Sequence, residues 1–263
     1  MVEAVPMGSL PILHRRALIG ALAAGAALAP LQACSENPAT GRRQFVIVSD
    51  EMLANLAAQT WAQVRAQTPV ADDARLQARL RGIGARVAER AGLTGLDWEF
   101  VAFDSAEINA FVLPGGKVGF FRGLIDFAAS DDEIAAVMGH EIGHVAARHA
   151  AERVSQQLAV QAGVQAAALA LSEDLGDFAD EAAAALGAGL TYGVILPYSR
   201  RHELEADRLG VDYMKAAGYA PGGAVSFWRR MLATSETRGA PLAWLSTHPA
   251  HEERLAALEA LAA

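Results

Sequence analysis

The sequence predicts an α+β fold, mostly helical, with one small antiparallel sheet. Three observations carry that expectation. Apolar residues recur at helical spacing from Ser49 to Gln67, from Asp72 to Ala91 and from Ser130 onward. Between the second and third of these segments, "LDWEFVAFDSAEINAFVLPGGKVGFFRGLIDF" changes to short β-like runs. After the third, further helical segments follow within residues 156–190, from about Arg200 to Ala217, and from near Pro249.

A chain of 263 residues, 52% of them hydrophobic, is long enough for one compact domain behind a processed leader. The net charge of -8 excludes the basic footprint of a nucleic-acid binder, so no nucleic-acid partner is expected. The single cysteine excludes an internal disulfide framework and a cysteine-based zinc cluster. That residue, Cys34, closes the stretch "LHRRALIGALAAGAALAPLQAC". Arg15 and Arg16 supply a basic start, and residues 17–29 are uncharged, small and apolar. The run is too short for a stable membrane span but fits the core of a signal peptide. "RRALIG" resembles a twin-arginine export signal, and "LQAC" resembles the lipobox of bacterial lipoproteins. Those resemblances imply that residues 1–33 are removed and that Cys34 is lipidated. The domain would then be exported and tethered to a membrane by acyl chains. Residues 34–48, containing "SENPATGRRQFV", read as a polar linker, and residues 49–263 as the folded domain.

The elements follow in order. Leu53, Leu56, Trp61 and Val64 form the apolar side of the first helix, with Ser49 as N-cap. The second helix, from Asp72 to Ala91, stops near Gly92. Trp98 to Phe103, Asn109 to Leu113 and Val118 to Phe121 are short strands, the last two joined by a turn at Pro114-Gly115-Gly116. Ser130 and Glu133 form an S-x-x-E capping box that opens the next helix. Residues 156–190 read as two Ala-rich helices split by "SEDLGD", serving either as core or as a lid over a cleft. A further helix runs from about Arg200 to Ala217 and ends at Gly218, and the last begins near Pro249.

The capped helix carries "AAVMGHEIGHVAARHAAER". Positions i and i+4 share one helix face, so His140 and His144 can present two imidazoles to one ion. Glu141 lies about 100° around the helix from His140, beside the ion rather than on it. A zinc ion there would acidify a water molecule, and Glu141 could take its proton and pass it to a leaving amine. A catalytic zinc needs a third protein ligand and an open position. The stretch "YSRRHELEADRLG" offers Glu203 and Asp207, again four residues apart. One carboxylate can bind the metal while the other accepts the remaining N–H of a ligating imidazole. Glu205 should face away from both. Gly139 and Gly143 weaken the H-E-x-x-H helix, a cost that close approach of the Glu203 helix would explain.

H-E-x-x-H followed by S-R-x-x-E-x-x-A-D resembles the zinc metallopeptidases of the CAAX prenyl protease/HtpX type. Ser199, Arg200, Glu203, Ala206 and Asp207 match in place. "NAFVLPGGKVGFFRGL" and "THPAHEER" resemble the family's segments before the metal helix and near the C-terminus. "NPATGRRQFV" resembles the segment after the lipidation site of small periplasmic lipoprotein members such as LoiP. The resemblance implies a zincin-type gluzincin fold with one Zn2+ held by His140, His144 and Glu203. Asp207 would support a ligand imidazole and Glu141 would be the general base. It also implies protein or peptide substrates and a role in protein quality control in the periplasm, on the outer membrane.

His248 has two active-site readings: stabilising the tetrahedral oxyanion, or occupying the open zinc position at rest. Asn109, Ala110 and Phe111 are expected on an edge strand that pairs with an extended substrate. His149, nine residues beyond His140, is expected on the opposite helix face, as a structural group or as support for a ligand. His202 and His251 are expected to have no part in the chemistry, and His14 belongs to the leader. Two other functions stay open: a lipoprotein chaperone that rarely cleaves, and a scaffold whose zinc is closed by a fourth ligand. Oligomeric state is not readable from the sequence.

Overall fold

The computed structural model describes residues 34–175, 198–239, 242–249 and 252–263. The expected leader, His14, His251 and the second Ala-rich helix lie outside the described residues.

The described residues begin with a hairpin where a linker was expected. Strands β1 (Cys34–Glu36) and β2 (Arg43–Phe45) pair antiparallel. Two buried amides fasten it to the domain. Asn37 donates to the carbonyl of Ala146 and Gln44 to that of Ala147, at 3.2 and 2.7 Å. Such contacts are invisible in a Pro/Gly-containing polar string, which is why the segment reads as a linker.

Helix α1 (Asp50–Gln67) starts as expected, with the Ser49 hydroxyl accepting from Met52 N. Helix α2 (Ala74–Arg90) is capped by Asp73 and ends before Gly92, whose φ is +69°. Strands β3 (Glu99–Phe103), β4 (Ala110–Leu113) and β5 (Lys117–Phe121) follow. Their order is β3-β5-β4, with β4–β5 antiparallel but β3–β5 parallel. The small sheet is therefore mixed rather than wholly antiparallel. The tight turn forces β4 and β5 together, and β3 takes the remaining side of β5. Strand β4 is left at the free edge.

A short helix α3 (Arg122–Phe127) leads into α4 (Asp131–Ala146), which carries the H-E-x-x-H motif. The capping box is displaced by one residue: Ser130 Oγ accepts from Glu133 N, but Glu133 Oε2 accepts from Ala129 N. Nearly all of α4 is buried, against α2, the sheet, and helices α6 (Arg200–Ala216) and α7 (Gly222–Arg238). Helix α5 (His149–Leu175) is continuous through Ser172 to Leu175, where the sequence suggested a break. Helices α8 (Ala243–Thr247) and α9 (Glu252–Ala262) complete the described chain. None of the described helices is long and apolar enough to cross a membrane.

The contact between α4 and α6 sets the site. A Cβ built on Gly139 would stand 2.5 Å from the Gly210 carbonyl oxygen, and one on Gly143 2.8 Å from that of Ala206. Only hydrogen side chains let the two backbones approach this closely. The expected explanation for these glycines holds.

Candidate active site

Helix α4 delivers His140 and His144, and α6 delivers Glu203 one turn before Asp207. The two imidazole Nε2 atoms are 3.1 Å apart. Glu203 Oε2 lies 3.5 Å from His140 Nε2, and Oε1 lies 3.6 Å from His144 Nε2. A tetrahedron with bonds of about 2.0–2.1 Å has edges of about 3.4 Å, so the three groups sit at the corners of a zinc-sized coordination figure. Glu203 is wholly buried, with Oε2 ion-paired to Arg254 and Oε1 facing His144 and His248. The donor set of two imidazoles and a carboxylate suits zinc chemically. The residues fit the metal.

The expected support is present. Asp207 Oδ1 is 2.8 Å from His140 Nδ1, leaving Nε2 to face the cluster. Arg254, 0% exposed, donates to both oxygens of Asp207 at 2.7 Å and stands 2.5 Å from Glu203 Oε2. Its guanidinium also lies over the Trp228 ring, 4.1 Å from the centroid. Burial would raise the Asp207 carboxyl, but Arg254 and His140 hold it well below the usual range. Glu203 is likewise lowered against its burial, by His248, Arg254 and His140.

Burial pushes His144 well below an ordinary histidine, aided by the neighbouring His140, His149 and His248. His248 behaves oppositely. Burial would lower it, but the carboxylates of Glu203 and Glu141 raise it. Its Nδ1 is 3.1 Å from His140 Nε2 and 3.3 Å from Glu203 Oε1. All four side chains offer ligand atoms within 4.8 Å of one another. His248 thus stands at the fourth corner, with its Nε2 3.4 Å from Glu141 Oε1. The sequence placed it near the site without choosing between its two readings.

Several site residues were not singled out. Trp244 donates its indole N–H to Glu141 Oε1 at 3.0 Å. Tyr198 stacks on His144, with ring centroids 3.9 Å apart. Arg254 belongs to the "THPAHEER" segment, yet nothing in its spacing announces a bridge to two helical carboxylates. His149 is closer than a continuous helix permits. The backbone leaves α4 at Arg148, a non-glycine residue with φ +53°, and this left-handed step returns His149 Nδ1 to 2.9 Å from His144 Nδ1. The opposite-face expectation fails there; support of a ligand imidazole is what the geometry provides. His202 is buried against Glu152 and stacked on His149, away from the metal corner. Glu205 faces Arg42 and His149 rather than the cluster of His140, His144 and Glu203, as expected.

A cleft of about 490 Å³ opens beside His144, between β4 and α1, with Leu53, Val112, Leu113, Pro114 and Tyr198 among its walls. Strand β4 is an edge strand, as expected. Its end at Val112 and Leu113, with Pro114 and Gly115 of the following turn, borders this cleft, displaced from Asn109–Phe111. Asn109 precedes the strand, and its carbonyl is taken by Phe121 N.

Residues 74–262 match the family described as Peptidase family M48. The chain belongs to peptidase family M48. It is 33% identical over 247 residues to the mitochondrial metalloendopeptidase OMA1 of Schizosaccharomyces pombe, covering 92% of this chain and 70% of that protein. It is 30% identical to the mitochondrial metalloendopeptidase OMA1 of Bos taurus, covering 86% of this chain but 45% of that protein. It is 29% identical to the β-barrel assembly-enhancing protease of Escherichia coli, covering 74% and 40% respectively. This M48 membership, with the metalloendopeptidase relatives and the His140–His144–Glu203 cluster, gives the enzyme class of a zinc metalloendopeptidase.

Proposed function

We propose that the M48 chain hydrolyses peptide bonds in proteins, using one zinc ion held by His140, His144 and Glu203. The observation that carries this is the convergence of three buried donors from two helices at tetrahedral-edge spacing. A zinc ion in that position supplies Lewis acidity and acidifies water. Glu141, 1% exposed and adjacent to the ligand His140, takes the water's proton and returns it to the leaving amine. Trp244 fixes the carboxylate by occupying one of its oxygens. Asp207 and Arg254 hold His140 and Glu203 against rotation. The cleft beside His144 and the free edge of β4 suit an extended chain bound through its main chain, which favours unfolded substrates.

Misfolded envelope proteins are the substrate class we favour, in periplasmic quality control, with the enzyme tethered at the outer membrane through lipid on Cys34. Support comes from the lipobox-like "LQAC", the resemblance to small periplasmic lipoprotein members, and the similarity to the β-barrel assembly-enhancing protease of E. coli. His248 at the fourth corner would close a purely structural zinc; the second reading kept beside the enzyme is a chaperone whose zinc site rarely cleaves. Glu141→Gln separates the two. Loss of casein cleavage with zinc retained supports the enzyme. Full biological activity in that variant supports the chaperone.

A further inference from the structure

Behind His144, on the side away from the proposed metal position, lies a buried chain of polar contacts that the catalytic steps above do not use. We propose that Arg42, on the hairpin following Cys34, is a positioning residue for the ligand His144, acting through Glu205 and His149.

The Arg42 guanidinium grips two carboxylates. Nη1 and Nη2 donate to the two oxygens of Glu152 at 2.8 and 2.6 Å. Nε and Nη2 donate to those of Glu205 at 2.7 and 3.1 Å. Glu205 Oε2 is 3.0 Å from His149 Nε2, and His149 Nδ1 is 2.9 Å from His144 Nδ1. These contacts determine where the protons sit. A carboxylate only accepts, so His149 carries its hydrogen on Nε2. The two facing Nδ1 atoms at 2.9 Å need one donor and one acceptor, and with the His149 hydrogen on Nε2 its Nδ1 is the acceptor. His144 must donate from its own Nδ1. Its Nε2, the atom facing His140 and Glu203, is left with a free lone pair aimed at the cluster.

Arg42 is the only group in this chain of contacts that joins Glu205 to the hairpin. Without it, Glu152 would keep His202 and Gln44, but Glu205 would lose the cation that holds it toward His149. Lysine cannot substitute fully, since a single ammonium lacks the planar fork that satisfies both partners. Asp207 supports His140 from within α6, whereas the support of His144 reaches back about a hundred residues to β1–β2. This assignment rests on His144 being a metal ligand.

The test is zinc affinity of the full-length protein, measured by chelator competition, with the cobalt-substituted absorption spectrum as a second readout. Arg42→Gln should raise the zinc dissociation constant about tenfold and alter the cobalt bands, as loss of a ligand's hydrogen-bonded support does. Arg42→Lys should fall between. Arg42→Gln combined with Glu205→Gln should be no worse than the weaker single variant, because both act through one link. A merely structural hairpin would lower the unfolding temperature and leave zinc affinity unchanged; that result in a folded Arg42→Gln protein overturns the proposal. If Arg42→Gln fails to fold, Glu205→Gln decides, since it keeps the Arg42–Glu152 pair; unchanged zinc affinity there overturns the proposal equally. Absence of zinc binding in the wild type would instead overturn the metal reading itself.

Discussion

The indole N–H of Trp244 lies 3.0 Å from Glu141 Oε1, with both residues 1% exposed. A hydrogen bond to a charged carboxylate contributes about 1.5–3 kcal/mol. Here it restricts which oxygen of Glu141 is free to move a proton. Trp244→Phe should therefore lower kcat by roughly ten- to a hundredfold, with KM little changed. Equal losses in kcat and in the amount of folded protein would show that Trp244 serves packing alone.

His248 occupies the corner that a reacting water needs. His248→Ala should keep zinc, because three donors remain, and should raise the rate of casein cleavage. A lost rate with zinc retained would assign the imidazole to the oxyanion instead.

Asp207 holds His140 in the tautomer that binds metal. Asp207→Asn should weaken zinc binding by about 10–100-fold, read by chelator competition. It also removes a charge paired with buried Arg254, so stability should fall by about 3–5 kcal/mol in urea unfolding. A variant as tight and as stable as the wild type would contradict both roles.

Acid should weaken the metal-free protein in two stages. His149 is lowered to about 4, chiefly by burial, and His144 is lowered further below its ordinary value. In both, the unfolded chain takes up a proton near pH 6.5 while the folded chain does not. Their stabilisation is complete above pH 6.5 and is lost as pH falls, for His149 through about 4, at up to about 1.4 kcal/mol per pH unit per proton. Glu152, Glu205 and Asp207 are all depressed by their partners against burial. Their contribution is complete above the usual carboxylate range and disappears at still lower pH. His248, raised, has the opposite sign and loses its contribution as pH rises through its folded value. Urea midpoints should fall from pH 6.5 to 4, and His149→Gln should flatten that slope; a flat wild-type profile would refute the assignment. Zinc affinity should also weaken in acid, since imidazole must be neutral to coordinate.

Gly139→Ala improves helix propensity by about 1 kcal/mol yet should destabilise the protein by about 1–3 kcal/mol. The added methyl meets the Gly210 carbonyl oxygen at 2.5 Å, a backbone atom that cannot rotate aside. A higher unfolding temperature would show that α4 and α6 can separate without cost.

The legible part of the site was the part written in helical spacing. His140 with His144, and Glu203 with Asp207, are each one turn apart, so local periodicity announced both pairs. The helices bearing them, their caps and the close approach at Gly139 and Gly143 followed from the same rule. What stayed hidden depends on chain reversals. His149 was misplaced because one left-handed residue, Arg148, breaks the helix whose period was being counted. The parallel pairing of β3 with β5 is a choice of neighbour that no strand pattern encodes. Helices α7 and α8 were not anticipated, and with them the indole over Glu141. Arg42 and Arg254 look like ordinary surface cations in the sequence; burial beside two acids each is a tertiary fact.

Arg254 follows Asp207 by 47 residues, yet its guanidinium lies against both Asp207 and Glu203. Helix α6 therefore cannot set these two carboxylates alone. The donor cluster becomes complete only when a distant segment docks, so its assembly reports cooperative tertiary folding rather than local helix formation.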